Sequence, residues 1–336
     1  MIRLALIGCG NMAKSHSEEL IKSPDVEVVA LVDPIASRTA DFRKRFFPKA
    51  KEFGAMESLL ADRRIKLDAV SIITPHNLHL RQAKMALEHG LHVLVEKPMV
   101  TNSRDARELW QAVKSSGKIL AIAHQAPYTE EFAHLAHLRD SGELGKVQSI
   151  AGWVSQNWLK NTANTWRQDP AQSGGGQMFD TGAHLFNAIM WIMNDPVVEA
   201  ACFYDRCSSP VDINGVAIAR FKNGALANFT IGGNCPGWHT EIQIQTDRFL
   251  ILTDQYGKKL EISGPDGKKM DGPVKRDGPI STTPNQNFIN AILGREPVRA
   301  GVRYGVLLTA LMDALYESAD HQRVVRIEPV PEDIAV

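Results

Sequence analysis

The chain has 336 residues, of which 44% are apolar and 23% charged, and its 38 Lys plus Arg balance 38 Asp plus Glu. That length accommodates two domains around a large core, and the charge balance leaves no bulk field to favour nucleic acid or an anionic membrane. Cys9, Cys202, Cys207 and Cys235 form neither a C-x-x-C pair nor a disulfide framework. No run approaches the roughly eighteen continuous apolar residues of a membrane span, and the glycine motif at Gly8 leaves no room before it for a secretory signal. A reduced, soluble, cytoplasmic protein is expected.

Leu4-Ala5-Leu6-Ile7 is an apolar run that ends at Gly8, the pattern of a strand buried on both faces. Gly8-Cys9-Gly10-Asn11-Met12-Ala13 then reads G-x-G-x-x-A and leads into a helix to about residue 22. Gly8 suits the tight turn, Gly10 admits a pyrophosphate close to the backbone, and Ala13 packs the helix on the strand. N–H groups at the helix start, at Asn11 and Met12, are placed to hold phosphate. A second apolar run, 26–32, ends at Asp33, where a carboxylate accepts the ribose hydroxyls and repels a 2′-phosphate. This favours NAD, while Arg38 leaves NADP open. Asp33 could also simply cap the turn before Pro34.

Strands and helices continue to alternate. An apolar run at 69–73 ends at Thr74-Pro75, and Leu80, Ala83 and Leu87 share a helical face closed by Gly90. Strand 92–95 follows. Ala106, Leu109, Trp110 and Val113 then repeat at helical spacing before strand 119–123. Such alternation predicts a doubly wound parallel sheet, with ligands beyond the strand ends where Thr74, Glu96 and His124 sit.

From about Tyr128 the pattern changes. A helix over 129–141 precedes alternating runs at 147–158, 198–204, 216–221, 225–231, 241–245 and 249–252, with a hairpin signal at Asn223-Gly224. They predict a second α/β domain with a large, mostly antiparallel, open-faced sheet. The Gly-, Pro-, Lys- and Asp-rich stretch 264–284 lacks periodicity and reads as a functional or mobile loop, and a final helix spans 301–319. The expected division is a Rossmann domain at 1–124 and a substrate-binding and oligomerisation domain at 125–336. The bare sheet face is expected to pair subunits in a homo-oligomer, a dimer or tetramer.

Two segments carry the chemistry: Glu96-Lys97-Pro98, and the run from Gly174-Gly175-Gly176 to Asp180 and His184. Asp180, at the start of a predicted helix over 181–193, and His184, four residues on, would share a face. A histidine titrating near neutrality can take a hydroxyl proton. Lys97 can stabilise the developing alkoxide, and Asp180 can orient the imidazole or bind a second hydroxyl. The structural alternative is that Asp180 only caps the helix. No His/Cys cluster has metal-ligand spacing, so no metal is expected.

In one order, the G-x-G-x-x-A start, Thr74-Pro75, Glu96-Lys97-Pro98, Trp166-Arg167, Gly174 to His184 and the tail from Asn287 to Ile327 span essentially the whole chain. Together they resemble the Gfo/Idh/MocA family of NAD(P)-dependent sugar and cyclitol oxidoreductases. The resemblance implies a proton relay of Lys97, Asp180 and His184, with Glu96 at the cofactor and a cis Lys97–Pro98 bond. Relatives read T-P-N-x-x-H where this chain has Thr74-Pro75-His76-Asn77-Leu78-His79. Thr74, Pro75 and His79 are therefore carried over as cofactor residues, and His76 is not. Trp166 and Arg167 are expected to cover the nicotinamide or clamp substrate. Gln125, Tyr128, Trp158 and His239 are substrate candidates, with His124, Trp153 and Trp238 beside them. The implied activity is hydride transfer between NAD and a secondary alcohol of a sugar, cyclitol or related polyol. The alternatives are an NAD-dependent glycosidase that recycles its hydride, and an NAD-binding sensor without catalysis.

Overall fold

The computed structural model describes residues 1–270 and 281–330, and the apolar runs form two sheets. The first contains β1 (Ile2–Ile7), β2 (Val26–Val32), β3 (Lys51–Phe53), β4 (Ala69–Ile72), β5 (His92–Val95) and β6 (Leu120–Ile122), in the order β3-β2-β1-β4-β5-β6. Every pair in it is parallel. Strand β3 escapes the sequence pattern because it is a three-residue edge whose side chains are exposed or half-buried. The strand order reverses between β1 and β4, which opens a crevice at their carboxyl ends. Helices Asn11–Leu20, Ala36–Arg45, His79–Glu88 and Ser103–Ser116 pack around this sheet.

The second sheet contains β7 (Val147–Ser155), β8 (Val197–Asp205), β9 (Asn214–Phe221), β10 (Leu226–Gly232), β11 (His239–Thr246), β12 (Leu250–Thr253), β13 (Leu260–Ser263) and β14 (Val325–Arg326). Its order is β13-β12-β11-β7-β10-β9-β8-β14. All neighbours run antiparallel except β7 and β10. The predicted hairpin forms between β9 and β10, closed by Gly224 N–H donating to Phe221 O at 2.9 Å. Strand β7 stops at Ser155, not at 158. Beyond it, Gln156 and Leu159 donate to the Gly232 and Gly233 carbonyls, and Trp158 opens the short helix Trp158–Asn161.

Alternate residues of the second sheet, among them Ile150, Val154, Phe229, Ile242 and Ile244, are buried in one core with helices Gly182–Met193 and Val302–His321. The opposite face leaves Trp153, Phe203, Val216, Ile218, Leu226 and Leu250 exposed. After β13 the chain returns to the first sheet. Phe288 and Ile289 of helix Pro284–Ile292 join the core around Leu4 and Leu6, and Ile122 N–H donates to Ala300 O at 2.8 Å. Residues 271–280 of the predicted loop 264–284 lie outside the described residues. Its described ends carry a bridge between Ser263 and Lys269 and the start of helix Pro284–Ile292. Among the described residues no helix is long and apolar enough to cross a membrane.

Candidate active site

A cleft of roughly 1210 Å³ runs from the glycine turn after β1, past the ends of β4 and β5, to helix Gly182–Met193. At its near end Gly8 adopts φ +94°, and a Cβ there would meet Ile73 O at 2.4 Å, so only glycine makes this turn. Gly10, in contrast, has open space on its Cβ side. It precedes helix Asn11–Leu20 with no side-chain cap, so the first helical N–H groups are left for a ligand. Asp33, 4% exposed, also lines the cleft. Its carboxylate accepts Cys9 N–H at 3.0 Å and Ile35 N–H at 2.9 Å, so it ties the glycine turn to β2 and caps its own turn as well. Arg38 Nη1 lies 3.7 Å from Asp33 Oδ2. Burial and the neighbouring Asp33 charge push the Cys9 thiol up to about 12, which leaves Cys9 an inert packing group. An open backbone cradle beside a buried carboxylate fits a dinucleotide.

The far end is built from side chains of distant segments. Lys97 follows β5, and the Lys97–Pro98 peptide is cis. Lys97 Nζ donates to Asp180 Oδ1 at 2.7 Å and to Asp180 O at 2.9 Å. The other carboxylate oxygen accepts Trp158 Nε1–H at 2.8 Å and Arg167 Nε–H at 3.2 Å. Burial opposes the charge of Asp180, but the cations of Lys97 and Arg167 outweigh it and hold its carboxyl far below the usual carboxylate range. Arg167 stacks on Trp166, which meets His76 edge-on at 4.7 Å.

The three glycines before this helix answer three close approaches. A Cβ at Gly174 would meet Thr101 Cβ at 2.7 Å, one at Gly175 would meet Tyr316 Oη at 2.3 Å, and one at Gly176 would meet Asp212 O at 1.9 Å. The chain then turns through the short helix Gln177–Asp180 and re-starts as Gly182–Met193, which has no side-chain cap. Asp180 is therefore not the cap of that helix.

His184 lines the same cleft, and its imidazole makes no hydrogen bond among the described residues, so Asp180 orients Lys97 rather than the imidazole. Burial, with the Lys97 charge next, holds the His184 pKa well below its usual value. The ring is neutral, and the expectation of titration near neutrality does not survive its burial. It faces Tyr256 at 5.5 Å and His124 at 6.3 Å between ring centroids.

A family profile described as an oxidoreductase family with an NAD-binding Rossmann fold matches residues 2–124, and the Gfo/Idh/MocA C-terminal domain matches residues 132–267. The chain belongs to the Gfo/Idh/MocA family. This places it among NAD-binding oxidoreductases. It is 28% identical to a 1-carboxy-3-chloro-3,4-dihydroxycyclohexa-1,5-diene dehydrogenase of Comamonas testosteroni, over 75% of this chain and 65% of that one. It is also 28% identical to a D-glucoside 3-dehydrogenase of Escherichia coli, over 59% of this chain and 56% of that one. The match thus spans less than two thirds of either relative. The WlbA dehydrogenase of Bordetella pertussis, solved with NADH and UDP-GlcNAcA, shares the fold at TM-score 0.83 and 21% identity, covering 98% and 99% of the two chains.

Within this family member, Gly8, Gly10, Asn11, Met12, Asp33, Arg38, Thr74, Pro75, Glu96, Lys97, Gln125, Trp166, Arg167, Asp180 and His184 all line the one cleft. Four other candidates do not. His79 is fully buried, its two ring nitrogens 2.9 Å from the carbonyls of Pro98 and Thr74, so it braces the two loops from beneath. Tyr128 is buried with its hydroxyl 3.2 Å from Asn287 Oδ1. Trp158 is a core residue whose indole holds Asp180 rather than a sugar. His239 opens β11 on the outer face of the sheet, edge-on to Trp153 at 6.4 Å.

Several groups in or beside the cleft, His16, His76 and Tyr256 among them, are assigned no role by the sequence. Glu96 Oε1 lies 2.8 Å from His16 Nε2, and His16 Nδ1 lies 3.0 Å from Asn285 Oδ1. Burial opposes both charges. The His16 partner nevertheless holds the Glu96 carboxyl down at about 2, and Glu96 in turn raises His16. His76 lines the cleft with Nδ1 2.8 Å from Ser173 O, and burial pulls it down to about 3. Tyr256 reaches the cleft from the turn between β12 and β13. Among the described residues no group of His, Cys, Asp or Glu is arranged to hold a metal.

Proposed function

We propose that this family member oxidises a secondary alcohol of a sugar, cyclitol or related polyol, using Lys97, Asp180 and His184 to hold and move the proton. The observation that carries this reading is the Lys97–Asp180 pair, at 2.7 Å, in the same cleft as the open glycine cradle. When bound, NAD supplies the hydride acceptor. Gly8, Gly10, Asn11 and Met12 offer it backbone, and Asp33 offers a carboxylate for the ribose hydroxyls. Thr74, Pro75, Glu96, Trp166 and Arg167 surround the end of the cleft nearest Lys97. The Asp33 charge repels a 2′-phosphate, and Arg38 already faces that charge at 3.7 Å, so NAD is preferred to NADP.

Of the three N–H donors of the Lys97 ammonium, two are spent on Asp180, and the third is left for the substrate oxygen. There it stabilises the alkoxide as it forms. Asp180, held ionised by its donors, fixes Lys97 and takes no proton. The His184 imidazole, neutral and with no hydrogen-bond partner among the described residues, accepts the hydroxyl proton. The relatives named for a glucoside and for a dihydroxycyclohexadiene both suggest a ring carrying hydroxyls. The division into a Rossmann domain at 1–124 and a substrate domain at 125–336 goes with this reading. So does a homo-oligomer through the exposed face of Trp153, Phe203 and Ile218.

The test is His184→Ala. Turnover is expected to fall about a hundredfold, the scale of a lost general base, while NAD binds as before. Unchanged turnover with NAD bound would contradict the assignment.

A further inference from the structure

Asp212 lies between β8 and β9, far from Lys97 in sequence, 2% exposed, and outside the residues that line the cleft. Its carboxylate accepts Gly176 N–H at 2.6 Å on Oδ1 and Met178 N–H at 2.8 Å on Oδ2. Its own carbonyl accepts Gln177 N–H at 2.9 Å. One residue thus takes three consecutive N–H groups, those at the start of helix Gln177–Asp180, which would otherwise be unsatisfied. Tyr316, from helix Val302–His321, donates its hydroxyl to Asp212 Oδ1 at 2.5 Å and completes the shell.

The consequence reaches Lys97 in a few bonds. Helix Gln177–Asp180 is a single turn, too short to hold its own place. Asp180, at its end, grips Lys97 Nζ by both carbonyl and carboxylate. The same close packing explains the glycines, since a Cβ at Gly175 would strike Tyr316 and one at Gly176 would strike Asp212. A buried carboxylate is costly unless its oxygens are filled. Here they are filled by the backbone that carries Asp180.

We propose that Asp212 and Tyr316 are positioning residues: they pin residues 176–178, and through Asp180 they fix the ammonium of Lys97 in the cleft. The pinning stands on geometry alone, and its effect on turnover rests on the polyol oxidation proposed above.

Two variants separate the possibilities. Tyr316→Phe removes one donor and leaves the carboxylate, so it is the variant expected to stay folded. Asp212→Asn puts an amide NH₂ where an oxygen received a backbone N–H. Three readouts are compared with wild type: hydrogen exchange of the amides of Gly176, Gln177 and Met178, acetylation of Lys97 by acetic anhydride read by mass spectrometry, and the dissociation constant for NAD. In folded Tyr316→Phe, exchange at these amides and acetylation at Lys97 are each expected to rise about tenfold, the effect of one hydrogen bond to a charged group. Asp212→Asn is expected to exceed that, with NAD affinity within about twofold of wild type. On any polyol that wild type oxidises, kcat falls by about the same factor as the acetylation rises, while KM changes less. Unchanged exchange and acetylation in folded Tyr316→Phe would overturn the pinning. Loosened amides with unchanged Lys97 reactivity, or with unchanged kcat, would overturn its link to the site. A wild type that oxidises no polyol would defeat the functional reading, and the exchange and acetylation would still decide the pinning.

Discussion

The two ends of the cleft are built on opposite plans. At the glycine turn the recognition surface is backbone, made available because Gly10 has nothing within 4 Å of its missing Cβ and the helix start has no cap. At the other end the surface is side chain. Lys97, Asp180, Trp158 and Arg167 come from four segments and satisfy one another. The first end relies on what is left out: a Cβ at Gly8 would strike Ile73, and one at Gly10 would fill the space left open for a ligand. The second relies on mutual contact, so removing Lys97 deprives the buried Asp180 carboxylate of its nearest cation.

The largest effect is expected at the side-chain end. Lys97→Met should lower kcat about a thousandfold, within the range for groups that manage charge and protons in a transition state, and titration with NAD should show affinity little changed. Loss of affinity equal to the loss in kcat would merge the two ends into one. Trp158→Phe keeps an aromatic side chain but removes the indole donor to Asp180 along with the volume of the pyrrole ring. About a tenfold fall in kcat is expected, the scale of one hydrogen bond to a charge, with KM for NAD unchanged.

At the backbone end, Asp33→Ala should leave kcat nearly intact and reduce the preference for NAD over NADP about tenfold, measured as the ratio of kcat/KM values. A parallel fall with both cofactors would mean that Asp33 acts only through its tie to Cys9 and Ile35.

The smallest effect belongs to the pair beneath both ends. The Glu96 carboxyl, held at about 2 against an ordinary 4.5, contributes stability that is present above about pH 4.5 and is lost as pH falls toward 2. His16, raised above its ordinary value, contributes stability that is full below about pH 6.5 and is lost as pH rises through its folded value. Calorimetry of His16→Gln without cofactor should therefore show its greatest deficit in melting temperature between these limits. A deficit that does not vary with pH would mean that the pair contributes packing alone.

Much of the fold was legible from periodicity and turn residues. The parallel sheet, the hairpin at Asn223-Gly224 and the reach of helix Gly182–Met193 follow from local rules. The site was legible where a motif names a position: Gly8, Asp33, Lys97, Asp180 and His184 do meet in one cleft. It was not legible where a role depends on which distant segment arrives. Trp158 reads as a sugar platform until its indole is seen on Asp180, and His79 reads as a cofactor ligand until both nitrogens are seen on carbonyls. Asp212 and Tyr316, 104 residues apart, carry no local signal. The parallel pairing of β7 with β10 likewise joins strands separated by four α-helices and two other strands.

Net hydride transfer from a polyol carbon to NAD is read by following NADH and NADPH with purified protein, both oxidised cofactors, and a panel of free sugars, cyclitols and glycosides. NADH is expected from at least one hydroxyl-bearing ring, formed faster than NADPH. Consumption of a glycoside with no reduced nicotinamide would contradict this expectation in favour of an internally recycled hydride, and NAD binding with no consumption of any compound would contradict catalysis itself.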